Sequence, residues 1–459
     1  MKNIITWLGI TAIGFLMMLF SYLNYQRVTE DIYWKDSLLY IGKDEPNERA
    51  DDLQYTSVSV YLFEPSVFAE IFSEAIQQTN PALKKTYDIH TRRKIIIFPQ
   101  DFTGLDDSML QSGRLPEPGT DEVLAGCQAA QTDRIVVSNS ELKIVGRLRR
   151  NVTFLADSLI LFGSAESSEI FDEDRLYNGF LVKISEQQKD DKKFAGSLES
   201  AFPKNKFTQY SVVLRTRPAP FFLYMAGMAV LLFGGTFLFF NIYKLSAKIF
   251  KNTWTAYALQ TICDYKYLFF LLHLASFGLG LLFMVFVYFL PELNFFLGLV
   301  VGAEVTSGSG PLALAGKAYM SQNILLAAAI TFGINFSIGS LLTITIPSII
   351  VPGSGILMVL FRSVMWGLIL SPCYTTFSQM MLPHSITLLL EGEAYILAAF
   401  FGLLMLIFLF RKSHGENLAQ RYKNALIVNI QGIILTAIVL AIAALYEAVE
   451  VILMIKMRG

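Results

Sequence analysis

A histidine and two carboxylates interrupt a stretch otherwise suited to lipid: MMLPHSITLLLEGEAYILAAF, residues 380–400, with His384, Glu391 and Glu393. A charge at the centre of a membrane helix costs roughly 2.5–3.5 kcal/mol on insertion scales, so residues of this type need a partner or a pathway. Seven positions separate His384 from Glu391, about two helical turns, and these two side chains point the same way, while Glu393 points nearly opposite. The phase therefore predicts Glu391 as the partner of His384, directly or through water, with Arg362 or Lys317 as alternative counter-charges. Glu393 is expected to reach an aqueous interface, and Pro383 to sit in the first turn of its helix. Glu391 reads as a buried polar contact that fixes helix packing, the alternative being a substrate or proton pathway. Asn335, Arg362 and His273 complete the intramembrane polar set, with His273 a weaker pathway candidate. No second histidine stands on a span matching His384, so a metal site is not expected.

The rest of the chain sets the solvent for this chemistry. Of 459 residues, 53% are hydrophobic and only 16% charged, with mean hydropathy +0.47; soluble domains carry about 25% charged residues. The composition predicts an integral membrane protein. A net charge of −1 gives no field for nucleic acid. Cys127, Cys263 and Cys373 are widely spaced, without the pairing of a zinc site.

Apolar runs of bilayer length fall at 4–23 and near 219–242, 267–290, 323–346, 355–378, 387–410 and 425–449. The first lacks a small-x-small cleavage site and reads as an uncleaved anchor rather than a signal peptide. The expected fold is thus a polytopic α-helical membrane protein of about seven transmembrane helices, with an α+β extracytoplasmic domain inserted between helices 1 and 2. Its divisions are an anchor at 1–23, the exported domain at 24–217, a second span with a basic amphipathic helix at 218–261, and a helical bundle at 262–459. Lys244, Lys248, Lys251 and Lys266 follow the second span, and Arg411, Lys412, Arg421 and Lys423 follow the sixth. Placing both clusters in the cytoplasm puts the N-terminus inside the cell inner membrane and residues 24–217 outside. The connection at 347–355 is then a cytoplasmic turn, unless it is a break within the membrane, and the Gly-rich stretch 291–322 dips into the interface or re-enters.

In 24–217 hydrophobic runs shorten and turn residues return. RKIIIFP, DRIVVS, LKIVGRL and FLADSLILFG read as strands, and SVFAEIFSEAIQQTN and KKFAGSLESAFP as helices. His90, beside two arginines in YDIHTRRK, reads as a surface residue, and no spacing suggests a catalytic set. LQSGRLPEPGTDEVLAG at 110–126 and DRIVVSNSELKIVGRL at 133–148 carry a GR-x-P turn, an E-V-x-L strand and a closing IVG. This region, about 28–217, resembles the periplasmic core domain of MacB-type ABC transporter permeases. The departure is an abbreviated CQAAQT where that family has a short helical segment.

After the second span, Lys244, Lys248 and Lys251 recur at i, i+4 and i+7, with Trp254 beyond, in NIYKLSAKIFKNTWTAYALQTICDYKY. Such a face lies against anionic lipid, or docks a cytoplasmic ATPase. The bundle at about 262–410 resembles the stage II sporulation protein M family. FGLGLLFMVF, ITFGINFSIG with Asn335, MWGLIL with Gly367, LPHS and EGEAYILAAFFGL come in that family's order. Ser385 and Trp366 depart from its pattern, and the acidic residue comes about three positions late. Gly278, Gly280, Gly333, Gly339, Gly367 and Gly402 are expected to let helices approach closely.

Together the resemblances imply a permease-like subunit of an ABC-type transporter or mechanotransmission complex. No G-x-x-x-x-G-K-[ST] occurs, so a separate cytoplasmic ATPase subunit is implied. The alternative, which the second resemblance implies, is a non-transport membrane scaffold or regulator of cell-envelope remodelling of the stage II sporulation protein M type. No catalytic set and no cofactor are expected. The expected partners are that ATPase, an extracytoplasmic protein bound through 24–217 and the lipid bilayer, with a homodimer left open.

Overall fold

In the computed structural model the chain divides where its composition changes. Residues 24–215 form one compact unit, and residues 1–23 with 216–459 form another. The structure describes residues 2–29, 33, 37–47, 53–63, 66–129, 132–137, 140–163, 171–185, 187–188, 191–210 and 214–458. Ala130 and Gln131 of the abbreviated CQAAQT segment lie outside the described residues, as does Ser138 of DRIVVS.

The chain begins with helix α1 (Lys2–Thr29), followed by strands β1 (Ser37–Gly42) and β2 (Tyr55–Phe63). Helices α2 (Val67–Thr79) and α3 (Pro81–Thr91) come next, then β3 (Arg93–Phe98), β4 (Leu110–Gly113), β5 (Glu122–Ala125), β6 (Arg134–Val137), β7 (Ser140–Leu148) and β8 (Ser158–Phe162). The unit closes with β9 (Leu176–Lys183), α4 (Lys192–Ala201) and β10 (Phe207–Tyr210). All strands join one ten-stranded sheet in the order β10-β1-β9-β2-β3-β8-β5-β7-β4, with β6 on β7. Among the described residues β3–β8 and β5–β7 pair in parallel and the other strand pairs are antiparallel.

The unbroken run Ile95-Ile96-Ile97-Phe98 is explained by burial on both faces. Ile96 and Phe98 enter one apolar cluster, Ile95 and Ile97 the other. Ser66 caps α2 by accepting from Ala69 N at 3.1 Å. The turn-rich motif folds onto itself. Gly113 holds φ +80°, and Arg114 N donates to Val145 O at 3.1 Å while its guanidinium meets Glu122 at 2.6 Å. A side chain at Gly113 would collide with the β7 backbone, so glycine is required there.

The second unit is helical: α5 (Pro218–Ile249), α6 (Ala256–Asp264), α7 (Lys266–Tyr288), α8 (Pro291–Ser307), α9 (Pro311–Met320) and α10 (Ile324–Ile334). A π-helix (Asn335–Thr345) continues α10 into α11 (Ile346–Ile350), and α12 (Gly355–Ile369), α13 (Thr375–Phe410) and α14 (Leu418–Arg458) follow. Pro218, Pro291 and Pro311 each occupy a first helical turn, where a missing N–H costs nothing. Among the described residues six helical segments are long and apolar enough to cross a bilayer, consistent with a multi-pass membrane protein. The stretch expected as a span at 355–378 holds the shorter α12, ~22 Å at 1.5 Å per residue. Helices α8 and α9 form a pair bent by 70°.

The helix α13 begins at Thr375, so Pro383 lies inside it rather than in its first turn. Close approach is real at some of the expected glycines and not at others. A Cβ on Gly367 would stand 2.5 Å from Gly280 O, which lets α7 and α12 touch, but Gly278 and Gly333 face open space. The pair α1–α5 is drawn together at Gly14 and Gly227, and held by Trp7 stacked on Phe237 at 4.3 Å and by Ser21 Oγ donating to Pro220 O at 2.6 Å.

Candidate functional site

α13 is the most buried of the long apolar helices and presents polar residues on two opposite faces. Toward α7 and α5 it presents Glu393. Its Oε2 lies 2.7 Å from His273 Nε2, and its Oε1 accepts from Tyr243 Oη at 2.9 Å. His273 and Glu393 are both fully buried. His273 Nδ1 lies 2.8 Å from Phe269 O. A carbonyl only accepts, so Nδ1 carries a hydrogen, and a single proton is shared between Nε2 and Oε2. Whether written as imidazolium with carboxylate or as imidazole with carboxylic acid, the pair has zero net charge. That is how an apolar interior holds two ionisable groups without an uncompensated charge. The expectation that Glu393 reaches water is thus corrected: its helical phase aims it into the bundle core.

Toward α14, α13 presents His384, Thr387 and Glu391, spaced three and four residues apart and so on one stripe. His384 Nδ1 meets Glu450 Oε1 at 3.2 Å, and Thr387 Oγ1 donates to Glu450 Oε2 at 2.7 Å. Glu391 has other company. Asn335 Nδ2 donates to its Oε1 from the first turn of the π-helix. The pairing of His384 with Glu391 is therefore corrected. The shared face exists, but α14 brings a nearer carboxylate to each end of it. Lys317 is exposed on α9.

Glu391 borders a cleft of about 470 Å³ that includes Asn335, Arg362, Trp366, Tyr395 and Glu447 in its lining. The Arg362 guanidinium lies over the Tyr395 ring, 4.0 Å from its centroid. Glu447, from α14, lies within hydrogen-bonding reach of Glu391 and of the Tyr319 hydroxyl. The lining is otherwise mostly apolar, from Val305, Leu312, Ile334 and Ile338 among others. An apolar cavity with a few convergent polar groups is the usual form of a small-molecule site. Among the described residues no group of three or more His, Cys, Asp or Glu side chains is placed to hold a metal ion.

The basic stretch is split by the end of a helix. Lys244 and Lys248 belong to α5, which stops at Ile249, so Lys251 and Trp254 lie on the following turn and not on a continuous helical face. All four are exposed, beside exposed Ile249, Phe250 and Tyr257. Nearby His414 stacks on Phe408 at 3.7 Å and meets Tyr265 Oη at 2.9 Å, which brings the 411–417 connection to the same end of the bundle. The 351–354 turn reaches that end too, since Tyr422 Oη donates to Ile349 O at 3.0 Å.

Among the described residues the α+β unit has one buried charge centre. Lys94, 1% exposed, lies 2.6 Å from Asp157, which also accepts from Tyr210 Oη and, at 3.0 Å, from Ser158 Oγ. Burial pushes the Asp157 carboxyl upward, but the Lys94 charge and these hydrogen bonds outweigh it and hold it below the usual range. Burial, then the Asp157 charge, pushes the Tyr210 phenol well up. His90 is half-buried rather than on the surface, its ring 5.7 Å from Tyr210. Burial lowers its affinity for a proton, and the Lys94 charge adds to this.

Glu447, Glu450, Tyr243 and Thr387 were not among the expected site residues. The signal for the first two was present: LYEAVEVILMIK places carboxylates three apart near the end of the last apolar run. No family model, curated protein or solved structure matches this chain.

Proposed function

We propose that this chain is the permease-like membrane subunit of an ABC-type transporter or mechanotransmission complex, with ATP hydrolysed by a separate cytoplasmic chain. The observation that carries this reading is the insertion of a folded α+β unit between two apolar helices that pair with each other. The chain enters residues 24–215 from α1 and leaves them into α5, and these two helices approach closely at Gly14 and Gly227. A helix pair with so little space between its backbones moves as one body, so displacement at its far end is delivered to the inserted unit. The resemblance of residues 28–217 to the MacB-type core domain supports the same reading, whereas that of 262–410 to the stage II sporulation protein M family is shared with the scaffold reading below.

In this scheme α12 is counted as a crossing and the bent α8–α9 pair as re-entrant, which gives seven spans. The lysine-rich end of α5 and the 411–417 connection face the cytoplasm of the inner membrane, and residues 24–215 lie outside. The lysines at that end are the ATPase dock, with the exposed Trp254 and Phe250 at the lipid interface.

A second reading, a scaffold for cell-envelope proteins, is favoured by the exposed Val67, Phe68 and Ile71 on α2, an apolar triplet suited to an extracytoplasmic protein partner. Affinity purification in mild detergent separates the two. Recovery of a P-loop ATPase that is lost when Lys244, Lys248 and Lys251 become glutamine supports the permease. Recovery of exported envelope proteins without an ATPase, lost in Phe68→Asp, supports the scaffold instead.

A further inference from the structure

A second cleft lies wholly within the α+β unit, and its charge is one-sided. It measures about 360 Å³, and its lining includes Lys43, Lys84, Lys85 and Lys206 with Asp44 and Asp88. Four lysines against two aspartates leave a surplus of two positive charges. The lysines come from three places in the chain: Lys43 follows β1, Lys84 and Lys85 stand in α3, and Lys206 precedes β10. Among the described residues the ion pairs of this unit join other cations, and none involves these four.

Where these lysines are held, the partners are neutral. Lys43 Nζ donates to Glu173 O at 3.0 Å and to Asp174 O at 2.8 Å, and lies 4.6 Å from the centroid of the Tyr177 ring. Lys85 Nζ donates to Lys206 O, which ties α3 to the turn before β10. Carbonyls fix where an ammonium sits and cancel none of its charge. An ammonium has three donors, and these bonds use two on Lys43 and one on Lys85. Burial makes Lys85 give up its proton more readily than an ordinary lysine, although the Asp44 charge opposes this. Asp88 offers the cleft little relief. Ser73 Oγ donates to it at 2.7 Å, and Arg92 Nε stands 3.4 Å away as its counter-charge. Convergent like charges repel one another, and an anion from outside relieves that repulsion.

We propose that this cleft binds a phosphomonoester carried on a polar body, such as a sugar phosphate. A phosphomonoester brings a charge of about −1.5 to −2 at neutral pH, which matches the surplus, whereas a diester brings a single charge. Lysines serve a phosphate as point charges from several directions. A carboxylate is best met by the planar fork of an arginine, and no arginine lines the cleft. A phosphate alone does not fill about 360 Å³, a size in the range of small-molecule sites. Gln77 and Asn205 stand in the lining beside the lysines, and their amides both donate and accept, as sugar hydroxyls require. The inference is independent of the permease reading, since it needs neither an ATPase nor the helical unit.

The test is calorimetric titration of the full chain, in phosphatidylcholine nanodiscs at fixed ionic strength and neutral pH, with glucose 6-phosphate, glucose, inorganic phosphate and dimethyl phosphate. Glucose 6-phosphate is expected to bind saturably at about millimolar concentrations or below. Inorganic phosphate should bind more weakly and in competition with it, and glucose and dimethyl phosphate not measurably. The Lys84→Gln/Lys206→Gln variant should weaken glucose 6-phosphate about tenfold or more. Lys192→Gln, on α4 and outside the cleft, should leave it unchanged. Asp44→Asn, which removes an opposing charge, should tighten it, a gain that misfolding does not produce. Absence of saturable binding by both phosphates overturns the proposal. So does equal weakening in Lys192→Gln, the mark of a diffuse charge effect, or a folded Lys84→Gln/Lys206→Gln protein of unchanged affinity. Inorganic phosphate bound more tightly than glucose 6-phosphate overturns the polar body. Dimethyl phosphate bound as tightly as inorganic phosphate overturns the monoester and assigns the cleft to a diester such as a lipid headgroup.

Discussion

Glu391 and Glu393 stand two residues apart on one helix and serve opposite sides of the bundle. Glu391 is held by Asn335 beside an open cleft, and Glu393 is sealed against His273 and Tyr243. At about 100° per residue two positions rotate a side chain by some 200°, so neighbours in sequence become strangers in space. One carboxylate borders a cleft beside Asn335 and Glu447, and the other is enclosed by its partners.

The sealed side predicts a contrast between two substitutions. In Glu393→Gln the new amide can donate to His273 Nε2 while its oxygen still accepts from Tyr243, so stability should change by less than about 1 kcal/mol. Glu393→Leu strands both partners in an apolar core and should cost about 3 kcal/mol or more. Thermal unfolding of the purified chain in detergent, with the His273→Leu/Glu393→Leu double variant recovering part of the loss, checks this.

The seam between α13 and α14 predicts who couples to whom. A double-mutant cycle of His384→Gln with Glu450→Gln should give a coupling of about 0.5–3 kcal/mol, and His384→Gln with Glu391→Gln should be additive within about 0.5 kcal/mol. Chemical denaturation of the four proteins in each cycle decides it. Coupling in the second cycle alone would return His384 to Glu391.

Helix approach predicts a difference between two glycines of the same type of sequence. Gly367→Ala drives a methyl group toward Gly280 O and should destabilise the bundle by about 1–3 kcal/mol. Gly278→Ala meets nothing within 4 Å and should be neutral or slightly stabilising. Melting temperatures of both variants are the readout.

The α+β unit should be acid-sensitive through Asp157. Its folded value lies below that of the unfolded chain, about 3.9, so its contribution is present above that pH and is lost as pH falls through the folded value. The protection factors of the β3 and β8 amides, measured against the intrinsic exchange rate at each pH, should therefore fall below about pH 4. Asp157→Asn should flatten that dependence and cost about 2–3 kcal/mol at neutral pH, less than a fully buried pair because Asp157 keeps 24% exposure.

Hydropathy and turn chemistry made the large divisions readable. The apolar runs, the strands 93–98 and 158–162, and the helix capped by Ser66 follow from local pattern. The site was legible only in part. Helical phase correctly separated Glu391 from Glu393, but phase gives a direction and not a partner. The partner of His384 is 66 positions away, and Glu450 stands one residue past the expected span at 425–449. The break at Ile249 escaped notice because KIFKNTW has no proline or glycine to stop a helix.

The single proton between His273 and Glu393 also decides how the bundle meets an electric field. The atoms that share it are 2.7 Å apart in a core about 30 Å thick, so transfer moves one charge across less than a tenth of the membrane. At 100 mV a full crossing is worth about 2.3 kcal/mol, and this step no more than ~0.2 kcal/mol, below thermal energy. A membrane potential can neither drive that proton across nor hold it on one side, and this fully buried pair is electrically silent while the cell's voltage rises and falls around it.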